Sequence, residues 1–404
     1  MNIDLSKLRP AASADVMGKR VLVRADLNVP FKNGKITDAT RVERFMPTLH
    51  MLTHRGARVI VLAHFGRPDG KRVPEMSLKP VATLMAQLAG HHPVAFVDDC
   101  IGEKAVAASK AVPPGAVLVL ENTRFHAAEE ENDPAFVAEL AKCGDLYVND
   151  AFSCAHRAHA STEGLAHVLP AYAGPQMMDE INALRAALEN PKRPTVAIVG
   201  GAKISTKIPV LTNLSKKVDK LIIGGGMANT FLKAQGVDVG RSLAEADQTK
   251  VVGEVMAAAK AAGCEIVLPV DGVVAKEFKA GAASEARDNA NIPADGMVLD
   301  IGPKSVAAMT SIIQGCHTAL WNGPVGAFES APFGTGTFAL ARQVAQLTKA
   351  GGLVSVAGGG DTVSALNMAG VADDFSYVST AGGAFLEWLE GRDLPGVAAL
   401  AQMA

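Results

Sequence analysis

The chain has 404 residues, of which 49% are hydrophobic and 20% are charged, and its formal net charge is −2 at pH 7. This length favours two or three domains with ample cores, and the charge argues against a general nucleic-acid-binding or membrane-surface protein. The five scattered cysteines contain no Cys-x-x-Cys pair, which argues against a disulfide framework or a zinc site.

The first residues lack a basic segment followed by an apolar stretch, and no apolar run approaches the length of a membrane span. We therefore expect a cytoplasmic protein that has neither a membrane nor a nucleic-acid partner. We also expect it to act as a monomer.

Short apolar runs rich in β-branched residues recur along the chain, separated by stretches of helical character. In the first half they cover residues 20–23, 58–63, 94–97, 116–120 and 146–148. In the second half they cover residues 195–199, 220–223, 265–270, 297–299, 318–321, 353–356 and 375–378. This alternation predicts an α/β fold of doubly wound parallel sheets with helices on both faces.

A break between the two series lies near residues 174–194, where Pro and Gly flank a stretch with helical spacing of apolar residues. The alternative is one more crossover helix in a single sheet, but about a dozen strands would strain one open sheet. We therefore expect two Rossmann-like domains joined by a hinge helix at 174–190.

The segments that follow the first-half strands are rich in arginine and histidine, and ligands bind beyond the carboxyl ends of parallel strands. These segments contain Asp26, Leu27, Asn28, His64, Phe65, Gly66, Arg67, Arg124 and Arg157. Arg41 joins them at a helix start marked by Thr40-x-x-Glu43. Cations without matching carboxylates repel one another, and guanidinium groups suit phosphate or carboxylate, so the group predicts an anion pocket. The alternative for each arginine is a surface ion pair.

The second half carries glycines and few arginines after its strands. Lys203 and Lys207 follow Gly200-Gly201 and are four residues apart, on one face of the first helical turns. Two cations at a helix N-terminus oppose the macrodipole, which favours a phosphate between them over solvent-facing lysines. The segment is not a Walker A loop.

Residues 354–362 end in Gly358-Gly359-Gly360-Asp361-Thr362, which is typical of a strand turning into a helix. Glycines let the backbone approach a ligand, and the helix N-terminus attracts phosphate. Asp361 then makes sense as a ligand to a hard cation that bridges phosphates. The alternative is a tight turn whose Asp or Thr caps the helix.

Two further loops carry weaker signals. Glu329 ends a stiff loop after residues 318–321 and could accept from ribose hydroxyls or be a solvated charge. Residues 379–383 supply donors that open a final helix, and the alternative is ordinary turn chemistry.

Eight motifs taken together resemble the phosphoglycerate kinases. In order they are 24–30 (RADLNVP), 64–68 (HFGRP), 120–125 (LENTRF), 149–152 (NDAF), 155–159 (AHRAH), 200–203 (GGAK), 321–326 (WNGPVG) and 358–362 (GGGDT). The resemblance implies a hinge enzyme that transfers a phosphoryl group reversibly between ATP and 3-phosphoglycerate, giving ADP and 1,3-bisphosphoglycerate, with Mg²⁺. It also implies a phosphoglycerate-binding domain at 1–173, a nucleotide-binding domain at 191–383 and a segment at 384–404 that returns to the first domain.

The resemblance also implies roles for individual residues. The phosphoglycerate ligands would be Asp26, Leu27, Asn28, Arg41, His64, Phe65, Gly66, Arg67, Arg124 and Arg157. The nucleotide ligands would be Lys203, Lys207, Gly302, Asn322, Glu329, Gly358, Gly359, Gly360, Asp361 and Thr362, with Asp361 on the metal. The catalytic groups would be Arg41, Lys203, Lys207, Gly359 and Gly382. Ala381 stands where the family generally has glycine.

Two rival functions fit the sequence less well. A nicotinamide-dependent dehydrogenase would need a strand followed by G-x-G-x-x-G and an acidic residue about twenty positions on, and none occurs. A two-lobed anion receptor would leave Lys203, Lys207 and Asp361 without a purpose.

Overall fold

The computed structural model describes residues 3–32 and 34–402, and the chain divides into two compact units. Unit 1 takes Met1–Ile181 together with Asp393–Ala404, and unit 2 takes Asn182–Arg392. The division falls inside a helix, Pro175–Leu188, in the segment where the sequence suggests a connecting helix.

Unit 1 is built on a six-stranded sheet in which every neighbouring pair is parallel. Its strands are β1 (Arg20–Arg24), β4 (Arg58–Leu62), β5 (Val94–Val97), β6 (Val117–Leu120), β7 (Leu146–Asn149) and β8 (Ala171–Ala173), and a small hairpin joins β2 (Phe31–Lys32) to β3 (Lys35–Ile36). Its helices are α1 (Thr40–His54), α2 (Lys79–Leu88), α3 (Gly102–Ala111), α4 (Ala127–Glu130), α5 (Pro134–Ala141), α6 (Leu165–Val168) and the first part of α7 (Pro175–Leu188). The strand order is β5-β6-β4-β1-β7-β8.

Unit 2 also contains a six-stranded parallel sheet, with the strand order β11-β10-β9-β15-β16-β17, and adds an antiparallel sheet, β13-β12-β14. Its strands are β9 (Thr195–Val199), β10 (Lys220–Ile223), β11 (Glu265–Val267), β12 (Asp271–Ala275), β13 (Ser284–Asp288), β14 (Met297–Ile301), β15 (Thr318–Asn322), β16 (Val354–Gly358) and β17 (Tyr377–Ser379). Its helices are α8 (Ile208–Leu214), α9 (Gly225–Ala234), α10 (Thr249–Ala262), α11 (Pro303–Gln314), α12 (Thr335–Lys349), α13 (Gly360–Ala369) and α14 (Gly383–Leu389). The last helix, α15 (Pro395–Gln402), belongs to unit 1.

The central strands are buried on both faces, because helices cover each face of a parallel sheet. Val21, Val23, Val59 and Val61 of unit 1 are all 0% exposed. Such runs are nearly continuous in apolar β-branched residues, and this is why the sequence locates them well.

The predicted fold class, α/β with two parallel-sheet domains, is confirmed. Some details differ. The sequence pattern predicts β14 in a parallel sheet, but this strand pairs antiparallel with β12. The pattern does not predict the short strand β8 or the pair β12 and β13, because β8 has only three residues and most residues of β13 are exposed and polar. Within residues 3–32 and 34–402, every helix is too short or too polar to cross a bilayer.

Candidate functional site

The charged strand-end loops of unit 1 lie at one edge of its sheet. β6, β4, β1 and β7 are consecutive neighbours and run parallel, so the segments after them emerge at the same edge. These segments carry the predicted phosphoglycerate ligands. The topology therefore gathers residues that are distant in sequence into one region.

Arg41 is held by a carboxylate of this edge. Its Nη1 atom lies 2.7 and 2.8 Å from the two carboxylate oxygens of Asp26, and Ser153 Oγ donates to Asp26 Oδ2 at 2.6 Å. The expected capping role of Thr40 is wrong, because Thr40 is the first residue of α1 and Ala39 stands at the N-cap without a side-chain cap. The Thr40 N–H donates to Asp38 Oδ1 at 2.8 Å. Arg41 thus sits in the first turn of α1 with its guanidinium aimed by Asp26.

A buried arginine, which opens the motif at residues 24–30 but has no role in the sequence prediction, fixes the tautomer of His64. Arg24 is 1% exposed, and its Nη2 lies 2.9 Å from His64 Nδ1. A guanidinium only donates, so His64 Nδ1 accepts and the ring proton is on Nε2. Burial, followed by the charges of Arg24 and Arg124, holds the pKa of His64 well below its usual value. His64 is therefore a neutral donor through Nε2.

Carboxylates offset part of the positive charge, contrary to the expectation of cations without partners. Besides the Asp26–Arg41 pair, Arg124 Nε lies 3.3 Å from Glu130 Oε1. The charges of Arg124 and Arg157 still act at this edge, because after burial, which is the largest cause, they lower the pKa of His159 to about 4. The edge favours an anion.

The other predicted residues of unit 1 differ in what they can offer a ligand. Asn28 Oδ1 accepts from the Gly66 N–H at 2.9 Å, so it holds one loop against another. Leu27 is 0% and Phe65 6% exposed, so their side chains belong to the core. Arg67 is exposed and forms no ion pair with the residues that the structure describes, which leaves its guanidinium open to a ligand.

Glycines after the central strands of unit 2 let two loops pack backbone to backbone. A Cβ on Gly200, which follows β9, would lie 1.8 Å from the carbonyl oxygen of Pro324 in the loop after β15. Gly359 has φ of 100°, and a Cβ there would come within 2.7 Å of Asn322 Nδ2. Both positions require glycine, because a side chain there would prevent this close packing of the loops.

These loops border a cavity of about 440 Å³. Among its lining residues are Gly201, Gly225, Leu243, Phe328, Glu329 and Asp361. The sequence does not indicate the apolar part of the wall, because some of its residues lie in loops. Among these lining residues, Leu243 is 54% exposed and Phe278 is 58% exposed. A cavity with apolar walls and carboxylates at its border suits a flat, partly polar ligand.

Lys207 is positioned more firmly than Lys203. The two lysines flank a 3₁₀ turn, Ile204–Thr206, and do not share a face of the α-helix as expected, since α8 begins only at Ile208. Lys207 Nζ donates to Asn322 Oδ1 at 2.5 Å, whereas Lys203 is exposed. Burial lowers the pKa of Lys207, and Asp361 and Glu390 oppose that shift.

Two side chains at the start of α13 differ in what they can offer a ligand: the Thr362 hydroxyl is used within the fold, and the Asp361 carboxylate is exposed. Thr362 is 2% exposed, and its Oγ1 accepts from the Gly323 N–H at 2.7 Å. Gly358 O likewise accepts from Asn322 Nδ2 at 2.8 Å. Asp361, in contrast, is exposed and borders the cavity, beside the helix that Gly360 begins.

Two other predicted glycines stand at helix starts. Gly302 precedes α11 and adjoins the cavity through Ile301 and Asp271, which line it. Gly382 has φ of 54° and precedes α14, directly after Ala381.

A buried carboxyl at the cavity wall gives a pH-dependent stability. Burial raises the pKa of Asp300 from 3.8 to about 7, although the N–H groups of Gly336 and Ile301 oppose this. The folded state therefore binds this proton more tightly than the unfolded state. The resulting stability is fully present below pH 3.8 and is lost as the pH rises through about 7.

In the wild type, we expect titration of Asp300 to lower the free energy of unfolding by on the order of 4 kcal/mol between about pH 4 and pH 8. We expect this decline to be absent in Asp300→Asn, whose amide does not titrate. Urea unfolding of both proteins across this range measures the slope, and the exposed Asp373→Asn variant is the control. An unchanged slope in Asp300→Asn would mean that this carboxyl is already ionised at pH 4 in the folded protein.

Comparison with known proteins assigns the chain to a family. The phosphoglycerate kinase family model matches residues 11–392. The phosphoglycerate kinase of Rhizobium meliloti (strain 1021) is 63% identical over 388 residues, covering 96% of this chain and 97% of the relative. That of Sinorhizobium fredii (strain NBRC 101917 / NGR234) is 64% identical over 383 residues, covering 95% and 96%.

Solved structures agree with this assignment. The phosphoglycerate kinase of Coxiella burnetii aligns with a TM-score of 0.91 at 42% identity, covering 98% of this chain and 99% of that one. The enzyme from Pyrococcus horikoshii OT3 aligns with a TM-score of 0.80 at 29% identity and the same coverage. The chain belongs to the phosphoglycerate kinase family.

Proposed function

We propose that this enzyme transfers a phosphoryl group reversibly between ATP and the carboxylate of 3-phosphoglycerate, giving ADP and 1,3-bisphosphoglycerate, with one substrate on each unit. The observation that carries the proposal is the start of α13. There an exposed carboxylate, Asp361, borders a cavity beside a helix N-terminus, and its charge acts on the half-buried Lys207. Such a combination suits a metal-bound polyphosphate.

Unit 1 is the proposed site of 3-phosphoglycerate. Arg67, Arg124 and Arg157 offer guanidinium groups to the phosphate or the carboxylate, and His64 offers a neutral N–H donor. Asp26 and Asn28 would face the hydroxyl of the substrate. Burial is the largest cause of the lowered pKa values of His64 and His159, and the charges of the neighbouring arginines lower both further. This second contribution supports the site, because a bound anion would offset those charges.

Unit 2 is the proposed site of ATP or ADP. The apolar cavity wall at Leu243 and Phe328 suits the adenine ring, and Glu329 at the border would accept from ribose hydroxyls. The phosphates would then meet Lys203, Lys207 and the N–H groups that open α13.

Asp361 is the proposed protein ligand for Mg²⁺. Magnesium usually binds one or two carboxylates, phosphate oxygens and several waters, so one exposed carboxylate at the cavity border fits it. Asp300 is less suitable, because both of its carboxylate oxygens accept backbone N–H groups and it is 2% exposed. When bound, the ion would neutralise phosphate charge.

The chemistry asks the protein for positioning and charge neutralisation. A carboxylate oxygen of 3-phosphoglycerate attacks the γ-phosphorus of ATP, the new P–O bond forms and the bond to ADP breaks. The nucleophile is already ionised, so no general base is required. Arg41 and Lys207 are the proposed groups that meet the transferring phosphoryl, with Lys203 and the N–H groups near Gly359 and Gly382 adding support.

Transfer requires the two substrates to meet, so we propose that hinge closure precedes the chemical step and excludes water that would hydrolyse ATP. We also propose a monomer as the working form. The proposed setting is the cytoplasm, in keeping with a glycolytic reaction.

A coupled assay tests the proposed reaction. Purified protein receives Mg-ATP and 3-phosphoglycerate, and a dehydrogenase converts 1,3-bisphosphoglycerate with oxidation of NADH. We expect NADH loss that requires both substrates and stops when EDTA removes the metal. ATP consumption that does not depend on 3-phosphoglycerate would contradict the proposal.

Arg67→Ala tests the anion site of unit 1. Because the Arg67 guanidinium is exposed and forms no ion pair with a described residue, its loss should leave the fold intact. We expect the dissociation constant for 3-phosphoglycerate to rise about 10- to 100-fold, while that for Mg-ADP stays unchanged. Calorimetric titration measures both constants, and Arg342→Ala, an exposed arginine in unit 2, is the matched control. An unchanged constant for 3-phosphoglycerate would remove Arg67 from the site.

A further inference from the structure

Four histidines gather at a place that the proposed reaction does not use. His50 and His54 are one turn apart near the end of α1, and His91 and His92 lie in the turn between α2 and β5. The ring centroids of His54 and His92 are 5.0 Å apart, and those of His91 and His92 are 4.2 Å apart. Imidazole rings this close together require either neutral rings or a shared ligand.

Three of these rings present nitrogen atoms to a common point. One ring nitrogen from each of His50, His54 and His92 lies within 4.8 Å of the others. Two histidines at positions i and i+4 on one helix face, joined by a third from another segment, form a common arrangement for binding a metal ion.

The hydrogen bonds of His92 leave a ring nitrogen ready to coordinate. His92 is 8% exposed, and its Nδ1 lies 2.9 Å from the Gly115 carbonyl oxygen. A carbonyl only accepts, so Nδ1 carries the proton and Nε2 carries a lone pair. His92 Nε2 is buried and has no hydrogen-bond partner among the described residues, and the same is true of His50 Nδ1. A backbone carbonyl that fixes the tautomer in this way is a typical outer partner of a metal-bound histidine.

We propose that His50, His54 and His92 form a binding site for a divalent transition-metal ion, of which Zn²⁺ is the reference case. Three neutral imidazoles and one water would complete a tetrahedral shell. The sequence argument against a zinc site rests on cysteine spacing, and it does not apply to a site made of histidines.

The site lies away from the anion-binding loops. α1 ends just before β4 begins, His92 comes just before β5 and Gly115 just before β6, so the cluster lies at the amino edge of the unit 1 sheet. The C-terminal end of a helix also favours a cation. A bound ion would therefore tie the end of α1 to the turn before β5 and stabilise unit 1.

A second group of metal-binding residue types, Asp99, Cys100 and His126, is a weaker candidate within the described residues. His126 Nε2 already lies 2.8 Å from Asp99 Oδ1. Burial raises the pKa of the Cys100 thiol well above its usual value, which opposes the thiolate that zinc requires. The histidine cluster needs no such deprotonation.

Zinc titration of the metal-free full chain, by competition with a chromophoric chelator, tests the proposal. We expect one tight site, and we expect His54→Gln to raise its dissociation constant at least about tenfold. His54 is exposed, so the melting temperature of this variant without metal should equal that of the wild type. His317→Gln, an exposed histidine of unit 2, is the matched control and should bind as the wild type does.

Two further measurements separate this site from others. Zn²⁺ should raise the melting temperature of the wild type and of His126→Gln, and not that of His54→Gln, because an ion bound only to the folded state stabilises it. Co²⁺ in the wild type should give the intense visible absorption of a tetrahedral site. Zinc affinity that survives in His54→Gln but is lost in His126→Gln would overturn the proposal, as would the absence of any tight site in the wild type.

Discussion

Replacement of Lys207 by alanine is expected to lower turnover by about 100- to 1,000-fold, while the dissociation constant for 3-phosphoglycerate stays within about twofold. Lys207 is half-buried, Asn322 holds its ammonium group, and Asp361 acts on it electrostatically. A cation that is already desolvated and fixed stabilises charge on a transferring phosphoryl without reorganisation. Steady-state kinetics with both substrates, together with calorimetric titration of 3-phosphoglycerate, measures the two quantities.

Lys216→Ala is the matched control, since this lysine is exposed on the same unit and lies outside the cavity. It should behave as the wild type in both measurements. If turnover and 3-phosphoglycerate binding fell by similar factors in Lys207→Ala, the proposed role of Lys207 would be contradicted, because that result indicates a general loss of structure.

Replacement of Asp150 by alanine is expected to lower the free energy of unfolding by about 3 kcal/mol. Asp150 follows β7 and is 2% exposed. Its Oδ1 accepts from the Gln176 N–H at 2.8 Å, and its Oδ2 accepts from Thr48 Oγ1 at 2.6 Å. One carboxylate thus ties the start of α7 and the middle of α1 to the sheet, and alanine would leave buried donors without an acceptor. Urea unfolding followed by circular dichroism measures the loss.

Two further variants serve as comparisons for Asp150→Ala. Asp150→Asn keeps one acceptor oxygen and should lose less stability than alanine. Asp179→Ala removes an exposed carboxylate from the same helix and should change the free energy of unfolding by less than about 0.5 kcal/mol. A loss below about 1 kcal/mol in Asp150→Ala would mean that α7 is anchored by other contacts.

The amino-acid sequence is sufficient to predict most strands of the two parallel sheets and the location of the charged loops. Buried parallel strands are continuous apolar runs, and the parallel order then requires the loops after them to share an edge. This is why Arg67, Arg124 and Arg157, each after or near a different strand, can be grouped from the sequence alone. Family motifs add roles that the residues by themselves leave open.

Other features depend on contacts between residues far apart in the chain. Arg24 ends an apolar strand, where an arginine looks like the first exposed residue, and only the fold buries it against His64. The Asp26–Arg41 pair likewise joins two separate segments. Part of the apolar wall of the cavity comes from Leu243 and Phe278, which lie in loops without periodicity. Burial and pairing of this kind leave no local pattern in the sequence.

The division of the two substrates between the units is most directly tested by hydrogen–deuterium exchange with each substrate alone. We expect 3-phosphoglycerate to slow amide exchange in residues 24–28 and 64–67, and Mg-ADP to slow it in residues 200–207 and 358–362. Protection of the same unit by both ligands, or protection of the unit 1 loops by Mg-ADP, would contradict the account.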